Sequence, residues 1–154
     1  MNADEVRAKL DIALAKLVAD DRYLLETNLG ERCIAARLAM YLQEQFPEHH
    51  VDCEYNRAGA APKRLDLPPE WANYRDENGE ALVVPDLIVH RRGCEGPNVL
   101  VLELKKTSNP EPRDCDHARI HAFMEHLGYE FGALIECETR ARREPATTVA
   151  EWLA

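Results

Sequence analysis

The sequence lacks several features that would assign it to a specialised class of protein. It has no apolar run approaching the roughly 18 residues of a membrane span, and the N-terminal residues MNADEVRAKLD lack the apolar segment of a secretory signal. The cysteines are odd in number and scattered, and none forms a CxxC pair: Cys33, Cys53, Cys94, Cys115 and Cys137. We therefore expect a cytoplasmic protein with reduced thiols and no membrane association.

Repeats, low-complexity tracts and interdomain linkers are also missing, so the 154 residues predict a single domain, residues 1–154. A basic excess, which is typical of nucleic-acid binders, is missing as well, because the net charge is −9. The acidity is uneven. Residues 81–115 hold five acidic and five basic residues, whereas the rest of the chain holds 23 acidic against 14 basic residues. The charge argues against a generic nucleic-acid binder without excluding one.

Two apolar stretches joined by a turn lie in the middle of the chain. Residues 82–90 (LVVPDLIVH) and 99–106 (VLVLELKK) have the length and composition of strands buried on both faces. An unpaired buried charge costs several kcal/mol, so Asp86 needs a local reason. Side chains alternate along a strand, so Glu103 and Lys105 share one face of the second strand. If Asp86 faces the same way, two carboxylates and an ammonium converge, as in a metal-assisted hydrolytic site.

The flanking segments predict helices and further strands. Apolar spacing and capping residues indicate these elements in order: a helix over 4–25, a helix from Asn28 to Gln45, a strand over 50–57, a helix over 114–127 ending at Gly128, a strand over 129–137 and a short helix ending at Trp152-Leu153. A hairpin within such an alternating pattern predicts an α/β protein, with a mixed four-stranded sheet between helices in three α/β/α layers.

Two polar features on the predicted helices have two interpretations each. Asn28 and Glu31 resemble a capping box, but Glu31 also lies at the end of an apolar helix face, where an acid could point at a metal site. His117, His121 and Glu125 have a four-residue spacing that suits zinc, although a solvated polar stripe is the favoured interpretation.

The excursion over residues 58–81 is long for a compact domain, and such loops are often functional or disordered. Trp71 and Tyr74 could contact bases there, and basic residues that could contact phosphates lie nearby: Lys63, Arg64 and Arg75. Aromatic residues in loops more often pin the loop to the body of the protein, and this is the favoured interpretation.

The two central stretches contain a recognisable motif: Pro85-Asp86, a spacer of sixteen residues, and Glu103-Leu104-Lys105. This motif resembles the complete signature of the PD-(D/E)xK nuclease superfamily. The order of elements from about Asn28 to Cys137 resembles the restriction-endonuclease-like core of that superfamily. The strings PDLIVHRRG and VLVLELKK are similar to those of small uncharacterised bacterial members. The resemblance implies a core over 28–137, flanked by the 4–25 helix and a 138–154 tail.

By this resemblance Asp86 and Glu103 would bind a divalent cation, with help from the backbone carbonyl of Leu104. Hard oxygen ligands suit Mg²⁺, for which Mn²⁺ would substitute. Lys105 would orient or deprotonate the attacking water, or neutralise the transition state. Superfamily members often carry another acid on the first core helix, and Glu31 occupies that place in the sequence.

The resemblance also suggests substrate contacts. A polar residue from the helix after the ExK strand often completes such a site; His117 and Arg119 are available, and the sequence does not choose between them. His90 and Arg91 are further candidates for substrate binding. The expected activity is a Mg²⁺-dependent endo- or exodeoxyribonuclease acting on DNA, with base recognition supplied by a homodimer or a partner protein. The alternative is an inactive module of the same fold that binds nucleic acid or a protein.

Overall fold

A computed structural model describes residues 1–55, 68, 70, 72, 74–75, 78, 81–93 and 96–154. Within them lie the following elements: α1 (Ala3–Asp20), α2 (Arg22–Glu26), α3 (Glu31–Gln45), β1 (His50–Cys53), β2 (Tyr74–Arg75), β3 (Ala81–Leu82), β4 (Leu87–His90), β5 (Asn98–Lys106), α4 (Asp114–Leu127), β6 (Tyr129–Cys137) and β7 (Thr147–Leu153). Cys94 and the aromatic and basic side chains predicted to act in the 58–81 excursion lie outside the described residues.

The fold is mixed α/β, as the sequence predicts, but the described part of the sheet has five strands rather than four. Their order is β1-β4-β5-β6-β7; β5 and β6 run parallel, and the other neighbours are antiparallel. The C-terminal helix predicted to end at Trp152-Leu153 is wrong, because this segment is the strand β7. Thr147, Thr148 and Val149 are β-branched and suit a strand. Pairing with β7 also covers the edge that β6 would otherwise expose.

Helices cover both faces of this sheet and form two apolar cores. On one face, α1 and α3 bury Leu10, Leu17, Ile34 and Leu38 against alternate residues of the central strands. On the other, Ile120 and Phe123 of α4 pack against the opposite set of strand residues. A functional site on this sheet therefore has to lie where the helices leave room, either beside α4 or beyond the end of one of the two apolar cores.

Several predicted elements are shorter than the sequence suggests. The strand predicted over 50–57 ends at Cys53, as β1. The helix predicted over 4–25 breaks at Asp21, whose carboxylate accepts hydrogen bonds from Arg37 and Tyr41 of α3. The strand predicted over 82–90 divides into β3 and β4, and Pro85 lies in the gap between them. Proline has no N–H for a strand ladder, so Asp86 comes directly before β4 rather than within a strand.

No described helix is both long and apolar enough to cross a membrane. Cys33, Cys53, Cys115 and Cys137 are free thiols, in agreement with the prediction for these four residues.

Candidate active site

The strand register brings the predicted acids to the same side of the sheet. Ile88 of β4 pairs with Val101 of β5, and both side chains pack against α4. Alternate residues share a face, so Glu103 points towards α4. Asp86 precedes β4, and its side chain lines one cavity with Asp116 and Arg119 of α4. Lys105 follows on this face and contacts α4 as well. The convergence expected from the sequence is present in the structure.

An open cavity of about 700 Å³ lies at this end of β5. The described side chains around it include six carboxylates and two basic groups: Glu31, Glu70, Asp86, Glu111, Asp114, Asp116, Lys105 and Arg119. Glu103 lies immediately behind this lining and is completely buried. The cavity is therefore strongly acidic, which suits a cation better than a bare anion.

Asp86 is held by the backbone of the neighbouring strand. Its Oδ2 accepts a hydrogen bond of 2.7 Å from the N–H of Leu104. Burial raises the pKa of Asp86 to about 6, although the Leu104 N–H and the charge of Arg119 oppose the rise. Among the described residues, no basic side chain lies within ion-pair distance of Asp86. Its charge is thus poorly compensated.

Glu103 has one satisfied and one unsatisfied oxygen. Oε2 accepts hydrogen bonds from Arg119, at 2.9 Å from Nη2 and 3.2 Å from Nε. Oε1 is buried and has no hydrogen-bond partner in the part of the chain that the structure describes. Burial raises the pKa of Glu103 well above its usual value, the charge of Asp86 adds to the rise, and Arg119 opposes it. A buried carboxylate oxygen without a partner calls for a cation, a water or a proton.

Asp116 is the site residue that the sequence analysis missed. It is buried in the first turn of α4, and its Oδ2 lies 3.2 Å from Lys105 Nζ in an ion pair that lacks hydrogen-bond alignment. Its Oδ1 contacts Arg119. Burial alone would lower the pKa of Arg119, but the charges of Glu103 and Asp116 outweigh burial and raise it. The sequence feature that could have indicated Asp116 is its spacing from Arg119, because an acid and a base at positions i and i+3 of a helix are neighbours on its surface.

Glu31 reaches the cavity, and the predicted capping box is wrong. The N-cap of α3 is Gly30, without a side-chain hydrogen bond, and Asn28 adopts a positive φ of 53° before the helix begins. Glu31 Oε1 instead accepts hydrogen bonds from the N–H of Lys106 at 3.3 Å and from Asn109 Nδ2 at 3.2 Å. Bonds to the chain after β5 therefore fix the Glu31 carboxylate at the cavity wall.

The structure separates the four substrate-binding candidates. Arg119 lines the cavity, whereas His117 contacts Glu151 of β7. His90 is 3% exposed and bonds to Asp52 over 2.8 Å at the far end of β4, and the exposed Arg91 follows it. Only Arg119 of these four lies where it would meet a substrate of this cavity.

The zinc interpretation of the α4 stripe gains no support. His121 and Glu125 are exposed, and His117 contacts a carboxylate instead. Among the described residues, no group of three or more His, Cys, Asp and Glu side chains is arranged to hold a metal ion. A zinc site needs three or four such ligands, but Mg²⁺ often uses only one or two carboxylates and keeps its waters.

Asp86 and Glu103 fit that sparser requirement. They are hard oxygen ligands, burial raises the pKa of each, the charge of Asp86 raises the pKa of Glu103 further, and Glu103 Oε1 has no partner among the described groups. No protein-family model matches the chain, and no curated protein or solved structure matches it. Function therefore has to be inferred from the cavity and its residues.

Proposed function

We propose that this chain is a metal-dependent nuclease of the restriction-endonuclease-like fold, and that it hydrolyses phosphodiester bonds in DNA. One observation carries the proposal: the half-buried Asp86 carboxylate lines an open cavity together with Lys105, the fully buried Glu103 lies directly behind it, and Glu103 Oε1 has no partner among the described residues. Two neighbouring acids that are largely removed from water are costly without a compensating cation. A purely structural cluster would be expected to satisfy that oxygen.

The residues of the site would have different roles in the reaction, which follow from their chemistry. Asp86, Glu103 and the backbone carbonyl of Leu104 would hold Mg²⁺ or Mn²⁺, with Glu31 as a further acid at the wall. Such an ion, when bound, would make the attacking water more acidic and would act as a Lewis acid on the scissile phosphate. Lys105 would orient that water or neutralise charge on the phosphate, because its ammonium donates hydrogen bonds and accepts none.

The charge of the cavity supports a metal requirement. Six carboxylates against two basic groups among its described lining would repel a phosphodiester. A divalent ion bound by Asp86 and Glu103 would offset this repulsion at the point where a phosphate has to approach. The acidic composition of the chain is then compatible with a nucleic-acid substrate.

A specific observation also favours the inactive module. Arg119 already bonds to Glu103, and Lys105 already pairs with Asp116, so part of the cluster is neutralised within the chain. On this alternative the fold is retained for binding nucleic acid or a protein, with no chemistry. Asp86, which lacks a described ion-pair partner, is the residue on which the two proposals differ most.

Nicking of supercoiled plasmid, with Mg²⁺ or Mn²⁺ and with a chelator, tests the proposal. Cleavage should require metal and should fall by about a hundredfold or more in Asp86→Asn and Lys105→Met, because each removes a group that acts on the reacting atoms. Glu125→Gln, an exposed change on α4, is the matched control and should cleave normally.

Titration calorimetry with Mn²⁺ complements the cleavage assay. Wild-type protein should bind the ion, and Asp86→Asn should bind it at least tenfold more weakly, because a carboxylate ligand is lost. No cleavage of DNA or RNA with either metal, together with Mn²⁺ binding that ignores Asp86→Asn, would overturn the nuclease and leave the inactive module.

A further inference from the structure

Lys105 is held by a buried carboxylate from another element. Its side chain is 8% exposed and that of Asp116 is 3% exposed, and the two are paired over 3.2 Å between β5 and α4. The other oxygen of Asp116 contacts Arg119, which bonds to Glu103. Four charged groups thus form one continuous chain that runs along the cavity wall to the buried Glu103: Lys105, Asp116, Arg119 and Glu103.

A lysine at the wall of such a cavity needs a partner to have a defined position. Its four-carbon stem is flexible, and its ammonium is a point charge without the fixed geometry of a guanidinium. The cavity of about 700 Å³ is wide enough for the ammonium to take several positions. Asp116 is buried in the first turn of a 14-residue helix, so its own position is well defined.

We propose that Asp116 is a positioning residue: it fixes the ammonium of Lys105 at the cavity wall for the reaction. This inference rests on the proposed nuclease function and extends it to a residue outside the PD…ExK signature. Asp116 acts through Lys105 and not on the substrate. Its bond to Arg119 also couples the position of Lys105 to that of Glu103.

A second carboxylate beside Lys105 allows an exposed ion pair to be compared with the buried one. Glu111 Oε2 lies 3.5 Å from the same ammonium, but the Glu111 side chain is 73% exposed. Exposed ion pairs contribute little to stability, whereas breaking a buried pair is strongly destabilising. Asp116→Gln would add bulk, so Asp116→Asn is the closest neutral replacement, and Glu111→Gln is its counterpart at the surface.

Reductive methylation followed by mass spectrometry tests the positioning without relying on activity. In metal-free protein, Lys105 should react about tenfold faster in Asp116→Asn than in wild type, since a lost interaction of about 1.4 kcal/mol corresponds to a factor of ten. Lys106 is the internal reference, because its ammonium bonds to Asn28 over 3.1 Å and not to Asp116. Fragmentation between the adjacent lysines separates their signals.

Single-turnover cleavage tests the consequence for the reaction. Asp116→Asn should lower the rate by about tenfold to a hundredfold, as misplacement of a reacting group does, while Mn²⁺ affinity stays within about threefold. Asp116→Glu keeps the charge with one more methylene and should recover part of the rate. Glu111→Gln should speed the labelling of Lys105 by less than about twofold, and Glu125→Gln, an exposed change on α4 outside the cavity lining, should leave labelling and rate unchanged. Circular dichroism and the thermal midpoint identify a variant that fails to fold, and then Asp116→Glu carries the test.

The inference and the proposed function can fail separately. If wild-type protein cleaves nothing, yet Lys105 still reacts faster in Asp116→Asn, the nuclease proposal fails and the positioning of Lys105 by Asp116 is supported. Equal labelling of Lys105 in wild type and Asp116→Asn would overturn the positioning, whatever the cleavage result. Faster labelling with an unchanged cleavage rate would also overturn it, because the position of Lys105 would then not matter for the reaction.

Discussion

Replacing Asp86 by asparagine should stabilise the metal-free protein. The folded-state pKa of Asp86 is about 6, against an ordinary value of 3.8. A difference of about two units corresponds to about 3 kcal/mol, which the ionised carboxylate costs the folded state above pH 6. Asparagine has nearly the same shape, its Oδ1 can accept the Leu104 N–H, and it carries no charge. The expected gain at pH 8 is therefore at most about 3 kcal/mol.

The pH dependence follows from the direction of this shift. The folded pKa of Asp86 lies above the unfolded one, so between pH 3.8 and about 6 the folded state binds the proton more readily. The contribution of Asp86 to stability therefore rises as the pH falls through 6 and levels off below 3.8, where both states are protonated. The advantage of Asp86→Asn should shrink across this window and nearly vanish at pH 4.

Urea unfolding in the presence of a chelator, at several pH values, measures this advantage. At pH 8 a gain of 3 kcal/mol corresponds to a rise in Tm of about 6 to 12 °C for a chain of this size. Asp52→Asn is the opposite case. Burial alone would raise the pKa of Asp52, but hydrogen bonds from Arg92 and His90 outweigh burial and lower it. That substitution should destabilise the protein at pH 8. The reasoning is refuted if Asp86→Asn is no more stable than wild type at pH 8, or if its advantage persists unchanged at pH 4.

Three further substitutions and one control test the Arg119 ion pair and the glycines at the end of α4 and in β6. Arg119→Met should cost about 3 to 5 kcal/mol in urea unfolding, because it leaves the buried Glu103 without its basic partner. Gly128→Ala should cost about 1 to 2 kcal/mol, since this helix C-cap has a φ of 65°, whereas Gly30→Ala, at a φ of −61°, should change the Tm little. Gly132→Ala should cost about 1 to 3 kcal/mol, because a Cβ there overlaps side chains of α4.

The strongest sequence patterns correctly predicted the centre of the fold. Helix α4 ends where the sequence indicates, with Gly128 at its C-cap, and β6 spans the predicted residues. The N-cap of α4 is Arg113 and not Asp114 or Cys115, the two residues that the sequence suggests. The convergence of Asp86, Glu103 and Lys105 also follows from the sequence, since two adjacent strands with known alternation leave few choices of face. These predictions needed only local periodicity and a hairpin register.

The predictions that failed depended on contacts between distant parts of the chain. The tail forms the strand β7 because it pairs with β6 and stacks Trp152 on Phe131, with ring centroids 5.8 Å apart. Local spacing in seven residues does not separate a short helix from a strand. Glu31 resembles a cap in sequence, yet its hydrogen bonds are to Lys106 and Asn109, more than seventy residues away. Such partners are set by packing and not by neighbouring residues.

The distribution of opposite charges explains why Asp86 decides between the two proposed functions. Arg119 contacts both Glu103 and Asp116, and Lys105 pairs with Asp116 and the exposed Glu111. Within the described structure, Asp86 receives only a backbone N–H. Binding of a divalent ion would therefore be most favourable at Asp86, because positive groups of the chain compensate the charge of this carboxylate least. An inactive module has no need to keep a carboxylate that costs the folded state about 3 kcal/mol, whereas a metal site does.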